Sequence, residues 1–117
     1  KIKGMRTYTN FEAIFNDRKN LPEEGWIYIK KEDFEDLGKA NYYVFEEDEL
    51  TLSDYIETET DVVPTLLYNK FETITTLVEC YMFKAIYDNM DEQNRNFDME
   101  ERIDALYYYL ENDCFQY

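Results

Sequence analysis

Carboxylates are the most abundant groups in this sequence that could do chemistry. Asp and Glu account for 27 of the 117 residues, against 12 Lys and Arg, and the run Glu46–Glu49 holds four in succession. Two carboxylates can act as general acid and base when they share a cleft and burial raises the pKa of one. The run has no interleaved apolar residues to build such a cleft. We therefore predict that the chain is not an enzyme.

Metal and cofactor chemistry is also not indicated. The window Asp88–Met99 has neither the central glycine nor the closing Glu of a calcium-binding EF-hand loop. The sequence contains no histidine, which excludes a Ser-His-Asp triad and imidazole metal ligands, and it has no glycine-rich phosphate loop. We expect no cofactor and no bound metal.

The net charge of −15 limits the class of partner. A nucleic-acid backbone would be repelled by this field, so we expect no nucleic-acid binding. A positively charged protein, in contrast, would be attracted and captured quickly. No apolar run in the sequence is long enough to span a membrane, and we expect no signal peptide. Cys80 and Cys114 lie in apolar surroundings typical of buried, reduced thiols, which favours a cytoplasmic protein without membrane contact.

Tyrosine is the second enriched group, with 12 residues. Tyrosines are frequent at binding hot spots, although most could equally lie half-buried at the rim of a small core. Three consecutive helical tyrosines at 107–109 cannot all face one core, since neighbouring residues are about 100° apart. Tyr107 continues an apolar stripe, so we expect Tyr108 and Tyr109 to show an edge to solvent, beside Glu111 and Asp113.

These two features define the residues that we predict to contact a partner. The acidic run continues beyond position 49 through an exposed loop, for which a plain solvated role is equally open. The predicted partner-binding residues are Glu46, Glu47, Asp48, Glu49, Asp54, Tyr55, Glu57, Glu59, Asp61, Tyr108, Tyr109, Glu111 and Asp113.

Patterns in the first half of the chain predict one helix and two strands. Thr9 and Glu12 have the spacing of a capping box that starts a short helix. The aromatic and β-branched segments Trp26–Lys30 and Asn41–Phe45 predict strands. Glu32–Gly38 between them is compatible with a helical turn or with a hairpin excursion.

The second half predicts an edge strand and two helices. Val62–Tyr68 contains Pro64, which cannot donate to a central ladder. Phe71–Met90 has apolar residues at helical spacing, and Asp98 with Glu101 forms a second capping box before a last helix. We therefore predict an α+β fold with a small, mostly antiparallel sheet of about three strands covered by three or more helices. We expect residues 1–4 to be an expression scar and residues 5–117 to form a single domain.

Two blocks of sequence resemble a known family. Leu21–Ile29, with Leu-Pro before Trp-Ile-Tyr, and Ala105–Phe115, with Tyr-Tyr-Tyr before Asn-Asp, resemble small acidic bacterial immunity proteins of polymorphic toxin systems, including contact-dependent growth inhibition. The segment Asp48–Pro64 departs from that family's pattern. The resemblance implies a cytoplasmic, non-enzymatic protein that binds and blocks the C-terminal toxin domain of a surface effector.

Our leading hypothesis is therefore an immunity protein that neutralises a cognate basic toxin, with a nuclease favoured because nucleases must hold a phosphate backbone. The first alternative is an acidic nucleic-acid mimic that inhibits a DNA- or RNA-binding defence enzyme. The second is a regulatory or scaffolding domain without a toxin partner. The sequence leaves the oligomeric state open.

Overall fold

The computed structural model describes residues 4–46 and 54–117, which form an α+β fold. Two 3₁₀ turns, Arg18–Asn20 and Lys31–Glu35, join some of the elements. The strands and helices, in chain order, are β1 (Met5–Tyr8), α1 (Phe11–Asn16), β2 (Trp26–Lys30), β3 (Tyr42–Phe45), β4 (Tyr55–Glu57), β5 (Val62–Pro64), α2 (Thr65–Lys70), β6 (Ile74–Glu79), α3 (Cys80–Asp91) and α4 (Met99–Asn112).

Four of the strands form an antiparallel sheet in the order β1-β3-β2-β6, and β4 and β5 form a separate antiparallel pair. The α+β class and the antiparallel pairing are confirmed. The prediction of about three strands was too low, because the described residues contain six. Strand β1 has only four residues and a mixed pattern, so its pairing with β3 could not be read from local sequence.

The middle strands β2 and β3 are largely buried on both faces of the four-stranded sheet, and successive side chains of a strand point to opposite faces. Ile27 and Ile29 face a large core formed with α1, α3 and α4. Tyr28 faces the opposite side, where β5 and α2 contribute Val63 and Leu67 to a second, smaller core. Strand β3 is buried along its whole length for this reason. The β4–β5–α2 segment is therefore a second covering layer.

Aromatic rings fill the centre of the larger core. Phe11, Phe15, Phe83 and Tyr87 lie with ring centroids 5.0 to 6.1 Å apart. Most of these contacts are edge-to-face or tilted, the arrangements that aromatic quadrupoles prefer. The Tyr87 hydroxyl donates to the Arg102 carbonyl oxygen at 2.8 Å, which ties α3 to α4.

The helix starts follow local capping, with one correction. Helix α4 begins at the predicted box: the Glu101 amide donates to Asp98 at 2.8 Å, and the Asp98 amide donates to Glu101 at 3.1 Å. Helix α1 is capped by Asn10 instead of Thr9, and the Asn10 side chain accepts from the Ala13 amide at 2.8 Å. Asn is an equally good N-cap, so the start lies one residue later than predicted.

The prediction of one helix over Phe71–Met90 was wrong in its first half, which forms β6. The β-branched residues Thr75, Thr76 and Val78 fit a strand, and β2 offers a partner of matching length. A register shift opposite Ile27 and Tyr28 interrupts the alternation in β6. Because of this shift, the apolar residues of β6 are spaced in the sequence as they would be along one face of a helix.

The remaining boundaries follow from proline and turn chemistry. Strand β2 covers the predicted Trp26–Lys30, and the undecided segment after it begins with a helical turn. Only Val62–Pro64 of the predicted edge strand is extended, because Pro64 ends the pairing and precedes helix α2. Cys80 is buried as expected, but the prediction for Cys114 was wrong because it is exposed beyond α4. No helix within the described residues is long and apolar enough to cross a membrane.

Phe83→Ala tests the aromatic core. Phe83 is fully buried, so we expect its truncation to lower the free energy of unfolding by about 3–5 kcal/mol. Urea denaturation followed by far-UV circular dichroism measures this change. Phe115→Ala is the matched control, because Phe115 is exposed and its loss should change stability far less. Equal losses for the two variants would contradict the assigned core.

Candidate protein-interaction surface

Trp26 stands at the exposed start of the central strand β2. Gly25 before it has φ +107°, a backbone conformation that a side-chain-bearing residue rarely adopts. The Gly25 carbonyl oxygen accepts from the Cys80 amide at 2.9 Å, which fixes this turn to the start of α3. The Trp26 side chain is 41% exposed, although its neighbours Ile27 and Tyr28 are buried. The turn therefore presents a large aromatic ring to solvent from a rigid position.

Three concavities share Trp26 as a wall. We call the first the β4 groove; it encloses about 500 Å³ between Trp26, Tyr28, Tyr55, Glu57 and Val62. A smaller hollow of about 190 Å³ adjoins it and is lined by Glu24, Gly25, Trp26, Tyr28, Phe45, Glu46 and Tyr55. The third, the α4 groove, encloses about 310 Å³ between Trp26, Leu77, Val78, Glu79, Tyr81, Met82, Tyr109, Leu110 and Asp113.

Together these linings form one surface, which we call the Trp26 surface. Its aromatic members include Tyr81, which is 50% exposed, and its acidic members number five. Among residues 4–46 and 54–117, no Lys or Arg belongs to any of the three linings. The carboxylates are those of Glu24, Glu46, Glu57, Glu79 and Asp113. The surface therefore combines exposed aromatic area with negative charge.

Two tyrosines of this surface, Tyr28 and Tyr109, have a raised pKa and so keep their hydroxyl protons at neutral pH. Burial raises the pKa of Tyr28, and the neighbouring Tyr55 hydroxyl adds to the shift. Burial also raises the pKa of Tyr109, with further contributions from Asp113, Tyr81 and Glu79. Both phenols can thus act as neutral hydrogen-bonding groups beside the carboxylates.

The sequence pattern of one protein family matches residues 8–116, and its description is "Domain of unknown function (DUF7716)". The chain belongs to the DUF7716 family. No curated protein and no solved structure matches it. The matched residues of the DUF7716 domain include the whole Trp26 surface.

Five of the predicted contact residues lie on this surface of the DUF7716 domain. Tyr55 and Glu57 line the β4 groove, and Tyr109 and Asp113 line the α4 groove. Glu46 lines the small hollow, where the Arg6 Nε donates to its carboxylate at 2.6 Å. Glu46, Tyr55 and Glu57 from one predicted patch and Tyr109 and Asp113 from the other thus meet at Trp26.

Other predicted contact residues of the DUF7716 domain lie elsewhere or outside the described residues. Asp54 and Tyr108 are half-buried, Glu59 is exposed in the β4–β5 turn and Glu111 is exposed on α4, and none of these four lines the three concavities. Glu47, Asp48 and Glu49 lie outside the described residues.

Sequence reasoning missed several members of the surface, among them Trp26, Glu79 and Tyr81. The sequence pattern placed Trp26 in a strand and not at a binding surface. Successive side chains of a strand point to opposite faces, so Trp26 does not share the helix-covered face with Ile27. Glu79 and Tyr81 lie at the junction of β6 and α3, which was hidden inside the single predicted helix. The blocks Leu21–Ile29 and Ala105–Phe115 also meet here, since Trp26 and Tyr109 line one groove.

Asp61 has a role inside the fold. Its Oδ2 accepts hydrogen bonds from the Thr75 hydroxyl at 2.6 Å, the Thr76 amide at 2.8 Å and the Thr76 hydroxyl at 2.9 Å. Its Oδ1 accepts from the Thr58 hydroxyl at 3.2 Å. Strand β6 lies at the edge of the four-stranded sheet, so no further strand of the described residues pairs with its Thr76 amide. The Asp61 carboxylate accepts from this amide and thereby attaches the β4–β5 pair to the main sheet.

The charge of Asp61 makes this attachment sensitive to pH. Burial acts to raise its pKa, but the hydrogen bonds from Thr75, Thr76 and Thr58 outweigh burial and lower the pKa below its ordinary value. A carboxylate with a lowered pKa in the folded state stabilises the fold above its unfolded pKa, about 3.9. This stabilisation is lost as the pH falls through the folded pKa.

Asp61→Ala should therefore destabilise the domain by about 2 kcal/mol at pH 7, because several donors lose a charged acceptor. The difference from the wild type should shrink as the pH falls below about 4. Urea denaturation at pH 7 and at pH 3 measures both effects. Glu59→Ala is the matched control, since Glu59 is exposed two residues away. A difference that stays constant over this pH range would contradict the role of the charge.

Proposed function

We propose that this DUF7716 chain is an immunity protein that binds and neutralises a cognate basic toxin domain in the cytoplasm, with a nuclease as the favoured toxin. We place the contact at the Trp26 surface. The observation that carries the proposal is Trp26 itself, 41% exposed on a rigid strand between grooves lined by carboxylates.

Exposed aromatic side chains in a fixed position are suited to protein recognition. Trp and Tyr are enriched among the residues that carry most of the binding energy of interfaces, and they lie at the centre of the contact. Trp26, Tyr81 and Tyr55 supply such anchors at the boundary between two grooves. Preorganised anchors lose little side-chain entropy on binding, so their apolar area contributes efficiently to affinity.

The charge of the chain favours a basic partner. The net charge of −15 attracts a positively charged protein over a long range. Part of this negative charge lies beside the aromatic anchors, on the carboxylates of the Trp26 surface. Steering of this kind raises association rates to about 10⁸–10⁹ M⁻¹s⁻¹ at low salt, against about 10⁵–10⁶ M⁻¹s⁻¹ without it. Rapid capture suits an inhibitor whose target damages the cell with each turnover.

A nucleic-acid mimic would need carboxylates spaced like phosphates along an extended face. On the Trp26 surface the carboxylates instead surround aromatic grooves, which favours a protein-specific contact. Competition with duplex DNA separates the two functions. Excess duplex should displace a mimic from its target. An inhibitor bound through Trp26 should be displaced less, because apolar contacts also hold it in place.

The direct test is co-expression with the protein encoded immediately upstream of this gene, which the proposed function predicts to be the cognate toxin. Wild-type protein should restore growth, and Trp26→Ala should abolish protection while the variant remains folded. With a catalytically inactive toxin, Trp26→Ala should weaken binding about 30-fold or more, the loss typical of a hot-spot residue. Isothermal titration calorimetry measures this affinity.

Leu66→Ala is the control, because Leu66 is 48% exposed on α2 and lies outside the Trp26 surface. Its affinity should equal that of the wild type. Cell death despite good expression of the wild-type protein would overturn the proposed function. If Trp26→Ala binds the inactive toxin with the same affinity as Leu66→Ala, the interface lies outside the Trp26 surface.

Local charge can be separated from total charge with two triple variants. Neutralising Glu57, Glu79 and Asp113 to Gln, Gln and Asn should slow association and flatten its dependence on salt. The control neutralises three exposed carboxylates away from the surface to Gln: Glu12, Glu92 and Glu100. Stopped-flow association rates at 50 and 300 mM NaCl (about 14 and 6 Å Debye length) compare them. Identical rates for both variants would show that the surface carries no special role in steering.

A further inference from the structure

We infer that the α4 groove receives the guanidinium group of an arginine side chain from the protein partner. The inference rests on the proposed function for the identity of the partner, but the chemistry of the groove can be measured without it. It is drawn from three features of the groove: its walls, its charge and its size.

The walls combine an apolar floor with aromatic and acidic sides. Leu77, Val78, Met82 and Leu110 supply the floor, Trp26, Tyr81 and Tyr109 the aromatic sides, and Glu79 and Asp113 the carboxylates. The floor can cover the methylene stem of a long side chain while the charged head meets the acids. Aromatic faces attract cations through their negative quadrupole, most strongly in tryptophan.

The sheet and α4 hold these groups in place. Trp26 lies directly opposite Glu79 in the β2–β6 ladder, so the two side chains project from the same face. Tyr109 and Asp113 are one helical turn apart, and the Asp113 amide donates to the Tyr109 carbonyl oxygen at 2.8 Å. The two carboxylates therefore come from different elements that meet at one groove.

The groove is negative, because its lining among the described residues contains two carboxylates and no Lys or Arg. Asp113 caps the carboxyl end of α4, where the helix dipole favours positive charge. The amino end of α3 also meets the groove, but its first amide, that of Cys80, already donates to the Gly25 carbonyl oxygen. The raised pKa of Tyr109 agrees with this field, since Asp113 and Glu79 contribute to it after burial. Neither carboxylate has an ion-pair partner in the described part of the chain.

Arginine fits this groove better than lysine does. Its planar guanidinium can lie flat against an aromatic ring and donate to two acceptors at once, whereas an ammonium group is a compact and strongly hydrated point charge. The volume of about 310 Å³ lies at the lower limit of small-ligand pockets, about 300–1,000 Å³, and so suits a single side chain.

The test uses N-acetyl-L-arginine amide as the probe, with the lysine analogue and the neutral isostere N-acetyl-L-citrulline amide for comparison. Trp26 is the only tryptophan in the sequence, so its indole N–H resonance and its fluorescence both report on the groove. We expect a saturable shift with the arginine amide, a weaker response to the lysine amide and none to the citrulline amide. An equal response to the arginine and citrulline amides would overturn the inference.

Glu79→Gln and Asp113→Asn should each weaken binding of the arginine amide about fivefold, because each removes one charged acceptor. Asn tolerates the left-handed conformation of Asp113, so the second variant keeps the helix end. Glu100→Gln, at the other end of α4, is the control and should bind the probe like the wild type. Losses of equal size in all three variants would overturn the inference.

The outcomes separate the inference from the proposed function. A chain that neutralises the toxin but does not respond to the arginine amide overturns the inference and leaves the proposed function standing. A chain that binds the arginine amide in the α4 groove but gives no protection upholds the groove's preference for arginine and overturns the proposed toxin partner.

Discussion

The pairing of β2 with β6 is the contact on which the rest of this structure depends. It joins residues 26–30 to residues 74–79 and makes β2 an interior strand, with β3 on its other side. The same pairing sets Trp26 opposite Glu79 and starts α3 beside the Gly25 turn. Core, sheet edge and Trp26 surface are therefore consequences of one ladder, and a change of its register would disturb all three.

Negative charge is used in two different ways in this chain. A few carboxylates are satisfied internally: Asp61 fixes the β4–β5 pair to β6, Glu46 pairs with Arg6, and Asp98 caps α4. The excess of acids over bases is too large for internal pairing, and its mutual repulsion works against compactness. A basic partner would relieve part of this repulsion on binding, so the same groups that cost stability in the isolated chain would favour the complex.

Sequence patterns predicted what is decided locally. The β-branched and aromatic run of β2 and the Asp98–Glu101 box of α4 correctly identified those elements. Strands β1, β4 and β6 were missed. Strands β1 and β6 depend on partners distant in sequence, and the irregular register of β6 imitated a helix. The three residues of β4 lie in the acidic stretch that was predicted as an exposed loop. The predicted acids and tyrosines marked both sides of the Trp26 surface, but only the β2–β6 pairing shows that Trp26 joins them.

The strand order β1-β3-β2-β6 also bears on how the molecule reaches its native state. Two of its three ladders join segments that are separated by other strands and helices: residues 5–8 with 42–45, and residues 26–30 with 74–79. Forming such ladders requires the closure of long chain loops before any contact repays the lost entropy, which slows folding relative to helical proteins of similar length. Because helices α1 to α4 have local backbone hydrogen bonds, we expect the closure of the sheet to be the slower step.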